Sequence, residues 1–141
     1  MDLDDDALWE AFSRSTLPTT DWHHRSHVRV AWLHVARWRL DEAHVRMRVG
    51  IIRLNAFHGL EETITRGYHE TLTRFWLVAV AAKVAAAGPA ADSRAFCDAH
   101  PELLEKAYPL RFYSQACLFS ANARAIFAAP DVIPLPAFDQ A

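Results

Sequence analysis

Apolar positions recur along this chain with a period near 3.6 rather than 2, a pattern that predicts helices and no sheet. Leu8, Trp9 and Phe12 form the first apolar edge. Asp4, Asp5 and Asp6 precede it, where a helix start favours negative charge, so a first helix is expected over 5–14, ended by "STLPTT". Thr20 or Asp21 supplies a cap for a second helix running to Leu40. Asp41 caps a third, "EAHVRMRVGIIRLNAFH", which stops at Gly59, the residue type expected just past a helix end. A fourth begins within "EETITRGYHET", with Gly67 blurring its first turn, and runs to Ala87, where "GP" breaks it. "DSRAFCDAHPELLEKAY" reads as two short helices split at Pro101, "SQACLFSANARAIFAA" as a last helix, and 130–141 as an extended proline-rich tail. The expectation is an all-α fold. Residues 1–141 would form one antiparallel bundle of four main helices, with short C-terminal helices and the tail attached.

The same periodicity assigns faces. In the second helix Val28, Ala31, Val35 and Trp38 face the core, His24 lies near the middle of that side, and His27 sits about 60° round on its shoulder. His23 and His34 lie further round, and Arg25 and Arg29 point to the opposite flank. In the third helix Ala43, Met47, Gly50, Leu54 and Phe57 make the apolar line, with Gly50 admitting a close helix approach and Asn55 and His58 beside it. In the fourth, Leu72, Phe75, Trp76 and Ala79 define the core face and His69 borders it. Glu70 falls nearly opposite that face, between Arg66 and Arg74, and reads as part of a surface charge ladder. Short connections make consecutive helices antiparallel neighbours, which brings the start of the second, the end of the third and the start of the fourth to one end. His24, His27, His58 and His69 all belong to that end. His34 lies about 15 Å further up the second helix, and His44 is at the far end.

Neutral imidazole is the commonest protein ligand for zinc and also suits iron and nickel, and three histidines with an open position form a catalytic rather than a structural site. His24, His27 and His69 are therefore the expected ligands of a divalent metal (Zn, Fe or Ni). His58 would be a fourth ligand or an acid/base group, and Tyr68 would sit beside a small-molecule substrate, with Thr65 as another orienting hydroxyl. His23 and Glu70 are the alternatives for membership of the site. Metal-assisted hydrolysis, elimination and iron-dependent oxidation would all use such a centre. Two of the contributing termini are helix starts, whose positive ends disfavour imidazolium. The competing reading is a non-catalytic helical module that binds a ligand or partner through an apolar groove, with the tail and the helices after Gly88 covering it or docking a second copy as a homodimer. A haem or metal carrier built on the same residues is a third. Taken singly, each histidine is most simply a hydrogen-bonded residue at the core edge, and Trp22, Trp32, Trp38, Phe75 and Trp76 are most simply core, with the walls of a pocket beside a bundle-end metal as their alternative use.

Composition narrows the classes further. Hydrophobic residues at 52% and charged residues at 23% argue against disorder, and a net charge of −2 argues against a nucleic-acid binder. The central arginines, Arg25 to Arg53, read as a solvated face. The acidic start has no signal-peptide character, and the longest apolar run, "FWLVAVAA", is about half of the ~20 residues a spanning helix needs, so a cytoplasmic protein without a membrane partner is expected. Cys97 and Cys117 give neither a disulfide framework nor a zinc motif and read as structural thiols. Four glycines provide no phosphate loop, and the Glu-x-x-His pairs of a two-iron bundle are missing.

The order of "HHRSHVRVAW", "AFHG", "GYHETLTRFW" and "LFSANARAIFAAPDVIPLP" resembles a family of small, uncharacterised bacterial all-helical proteins over Asp21 to Pro136. That resemblance implies a helical fold and carries no mechanism. The histidine arrangement is also similar to that of the DinB/YfiT-like bundles, which hold a metal with three histidines. Their H-x-x-x-H pair on a late helix has no counterpart here, so their ligands are not carried over.

Overall fold

In the computed structural model, which describes residues 2–137, every regular element is helical. In chain order these are α1 (Asp5–Ser13), α2 (His24–Val35), α3 (Leu40–Phe57), α4 (Glu70–Ala87), α5 (Ser93–Ala99), α6 (Gln115–Leu118) and α7 (Ala121–Ala125). Short 3₁₀ turns lie at Thr19–Asp21, Pro101–Leu104 and Tyr108–Arg111. Among the described residues no helix is long and apolar enough to cross a membrane. Residues 127–137 of the tail carry no regular element, and 138–141 lie outside the described residues.

Capping explains where the elements begin. The Asp4 carboxylate accepts the Ala7 N–H and starts α1. The second helix ends at Val35 rather than Leu40, because the Arg37 and Trp38 N–H groups both return to the His34 carbonyl and the chain then turns. Arg39, not Asp41, takes the extended cap position of α3, which leaves Asp41 and Glu42 in its first turn, where the helix dipole favours negative charge. The expected single last helix is two. Ser114 and Ser120 each accept an N–H three residues on, and the second of these caps restarts the helix as α7.

α2 is the central element, packed against α4 and α5 and also touching α1 and α3. Val28, Ala31 and Leu33 from α2, Met47 and Leu54 from α3, and Phe75, Leu77 and Val80 from α4 are buried together. On α3, Gly50 lies so close to the Phe12 ring that an added Cβ would overlap it, which is the close approach the sequence anticipates. Asp41 pairs with Arg74 and Arg48 with Glu70, so α3 and α4 run in opposite senses with the start of α4 level with the middle of α3. Segment 58–69 folds back along α3 to make that offset. The Glu62 carboxylate holds it by accepting the Asn55 amide N–H at 3.1 Å and the Tyr68 backbone N–H at 2.7 Å. Gly67, at φ +94°, sits where any side chain would overlap Glu62, and Arg124 of α7 donates to the carbonyls of Thr65, Gly67 and Tyr68.

The arginine face needs a correction. Arg29 is not solvated: it is 4% exposed and donates to the Ser93 hydroxyl, the Leu3 carbonyl and the Asp5 carboxylate. Asp5 also accepts from Ser93. Against a burial effect that would raise its pKa, these contacts with Ser93 and Arg29 lower it. The pair ties α1 to α2 and α5, a use of arginine that periodicity cannot distinguish from a solvent-facing one.

Candidate functional site

A cavity of about 540 Å³ opens where three helices meet. The start of α2 supplies His23, His24 and His27. One face of α3 supplies Met47, Ile51 and Asn55, with His58 at its end, and the start of α4 supplies Tyr68, His69, Leu72, Thr73 and Trp76. Trp22, Leu60 and Lys106 complete the wall. The volume suits a small organic molecule, and the lining mixes apolar side chains with a few convergent polar groups, as ligand sites do.

Three of the four imidazoles singled out in the sequence are fixed by main-chain carbonyls from distant segments. His24 Nε2–H donates to Leu103 at 2.9 Å, His58 Nε2–H to Leu17 at 2.7 Å, and His69 Nε2–H to Leu118 at 2.8 Å. A carbonyl oxygen only accepts, so Nε2 carries the proton in each ring. His69 is committed at its other nitrogen too, because it caps α4: Nδ1 accepts the Leu72 N–H at 3.1 Å. His27 is different. Its ring stacks on Trp22, centroid to centroid at 3.8 Å, and among the described residues neither ring nitrogen has a hydrogen-bond partner.

Electrostatics keep the His24, His27 and His69 rings neutral. Burial lowers the His24 pKa, and the Lys106 and His23 charges add to that against the bond to Leu103. Burial also lowers His69, with Arg124 adding to it. His27 is pushed down to about 3 by burial, with its neighbours His24, His23 and Lys106 contributing. At neutral pH the cavity therefore presents uncharged imidazole at His24, His27 and His69, with burial rather than the helix starts as the leading cause.

The metal centre is where the geometry departs from expectation. Among the described residues no three His, Cys, Asp or Glu side chains are grouped so as to hold a metal ion. His24, His27 and His69 share the cavity but do not form a three-ligand centre, and His69 has no lone pair left to offer while it caps α4. Tyr68 lines the cavity, but its hydroxyl is committed to Glu70 Oε1, to which it donates at 2.6 Å. Burial and that bond raise the phenol pKa, so Tyr68 is a poor proton donor to a ligand.

Behind Tyr68 stands a second polar cluster. Glu70 accepts from His44 Nε2–H at 2.9 Å, and Arg48 grips both of its oxygens, at 3.1 and 2.5 Å. Burial would raise the Glu70 pKa, but the bonds from Arg48 and Tyr68 and the His44 ring hold it down to about 2. The charge-ladder reading of Glu70 is thus overturned. Arg74 pairs with Asp41 instead, and Glu70 is largely buried against α3 because α4 starts alongside the third turn of that helix. For the same reason His44 is not remote from the start of α4. His34, further up α2, is buried among Trp9, Phe12 and Trp38 and bonds the Val30 carbonyl at 2.8 Å. His100 packs on Phe96 and does not line the cavity.

Sequence reasoning missed Lys106 and Asn55 as members of the wall, whereas Trp22 and Trp76 line it as the pocket-wall alternative for the aromatics has it. Lys106 lies between two 3₁₀ turns, where no periodicity signals which way a side chain faces. Comparison of the chain with family models, with curated proteins and with solved structures gives no match.

Proposed function

We propose that this protein binds a small organic molecule in the histidine-lined cavity, with His27 as the group that meets it through a hydrogen bond or a proton transfer. The observation that carries the reading is the His27 ring: held neutral, stacked on Trp22, and with no partner at either nitrogen among the described residues, it faces a cavity of ligand size. A neutral imidazole offers one donor and one acceptor, and as a base it needs only a substrate proton within reach. His24 and His58, oriented by carbonyls, present Nδ1 as an acceptor whenever their rings are neutral. The two free cysteines fit the cytoplasmic setting that this reading carries with it.

Tryptophan fluorescence tests it, since Trp22 and Trp76 line the cavity. A panel of phenol, benzamide, benzoate and benzylamine should include a probe that quenches saturably, and Leu72→Trp, which fills the space, should remove that binding while circular dichroism stays helical. If no probe saturates at millimolar concentration, or if binding survives in Leu72→Trp, the reading is wrong.

A second reading, a metal-dependent enzyme acting on a small-molecule substrate, keeps one specific support. Metal-bound histidines donate their other ring N–H to a carbonyl, as His24 and His58 do here. It requires His27 to join those two after the rings close up, with His69 left as a cap. Elemental analysis for zinc, iron and nickel on protein purified without a histidine tag decides it: stoichiometric metal lost in His24→Ala supports this reading, and protein without metal ends it.

A further inference from the structure

Five imidazoles, from His23, His24, His27, His58 and His69, and the ammonium of Lys106 border the cavity, yet among the described residues none that lines it is Asp or Glu. A site built for a cation places carboxylate beside it, and this one does the opposite. Lys106 is exposed, and among the described residues no carboxylate stands within ion-pair distance of it. Its charge is felt at His24 and His27, which puts the ammonium on their side of the cavity. Two carboxylates bonded to lining residues are engaged there: Glu70 by Arg48, His44 and Tyr68, and Glu62 by Asn55 and the Tyr68 N–H. The same wall carries apolar side chains, Met47, Ile51, Leu72 and the Trp76 indole, whose ring meets that of His24 at 4.8 Å.

Resting on the ligand-binding reading above, we infer that the ligand is a small aromatic carboxylic acid bound as its anion. Its carboxylate is received by Lys106 and the His27 N–H, and its ring is set against Leu72 and Trp76. The carboxylate needs donors, which an ammonium and a neutral imidazole N–H supply without moving any proton. The ring needs a flat apolar wall, and an indole offers offset or edge contact. An amine in the same place would meet Lys106 as a like charge.

The test is a matched set of rings differing only in the charged group: benzoate, benzamide and benzylamine, titrated against the full chain and against Lys106→Gln. Lys106 is exposed, so its substitution should leave the fold intact. Benzoate is expected to bind at least tenfold tighter than benzylamine and to weaken about fivefold in Lys106→Gln, the size of one partly screened charge contact, with benzamide unchanged. Benzylamine or benzamide binding as tightly as benzoate would overturn the anion inference while leaving the cavity a ligand site. A benzoate preference untouched by Lys106→Gln would overturn it as well. Failure of all three to bind would overturn both the inference and the reading beneath it.

Discussion

On one side of Tyr68 every polar group has a protein partner, and on the other side some do not. The Glu70 cluster is saturated: His44, Arg48 and Tyr68 all donate to one carboxylate, which stays ionised because burial is outweighed by those donors. His34, in the core, is enclosed by aromatic rings and bonded at Nδ1 to the Val30 carbonyl. The cavity wall holds rings of the same chemical type, but His27 has unpaired nitrogens and His24 and His58 are bonded at one nitrogen each. Buried polar groups in folded proteins are normally satisfied. A saturated cluster is therefore explained by the fold it ties together, whereas the His27 nitrogens, half-buried at the cavity wall, are open to a group from outside.

Substitutions should separate the two sides by what they damage. The largest effect is expected for Glu70→Ala, which strips Arg48, His44 and Tyr68 of their shared acceptor. About 3 kcal/mol of stability should be lost in urea unfolding, and a loss below about 1 kcal/mol would show that the cluster is not a structural tie. Next is acid. His34 has a folded pKa lowered to about 4 by burial, against an ordinary value of 6.5. The unfolded chain binds a proton there and the folded one does not, so stability is complete above about pH 6.5 and falls as pH drops toward 4. Between pH 7 and 5 this one ring should remove about 2 kcal/mol. His34→Gln should flatten that slope, and an unchanged slope would remove His34 as its source. His27, pushed to about 3, adds to the same trend with the same sign. The smallest structural effect is expected for His27→Ala, which loses only the Trp22 stack, about 1 kcal/mol. It should nevertheless abolish saturable probe binding. A variant that unfolds, or one that binds as well as the parent, would erase the distinction between the two sides.

Sequence legibility followed physical range. Local signals were readable: the acidic start of α1, the breaks after Phe57 and Ala87, and the Gly50 approach that Phe12 fills. The grouping of His24, His27, His58 and His69 around one space was reachable from helix faces and connectivity. What was not readable depends on contacts far apart in the chain. The carbonyls of Leu17, Leu103 and Leu118 that orient His58, His24 and His69 lie 41, 79 and 49 residues away, and a carbonyl has no sequence signature. The Glu70 misreading came from assuming that α4 begins level with the end of α3. Segment 58–69 instead folds back and moves the start of α4 alongside Arg48 and His44. Arg29 failed for a similar reason, since its partners Asp5 and Ser93 come from α1 and α5.

Long-range proton–nitrogen spectra of the imidazole rings, recorded while benzoate is titrated into the protein, address the central claim most directly. The ring nitrogens of His27 and His24 should shift with one common saturation curve, while those of His34 and His44 stay fixed. Shifts confined to His34 and His44, or no ring shift at any benzoate concentration, would contradict the account.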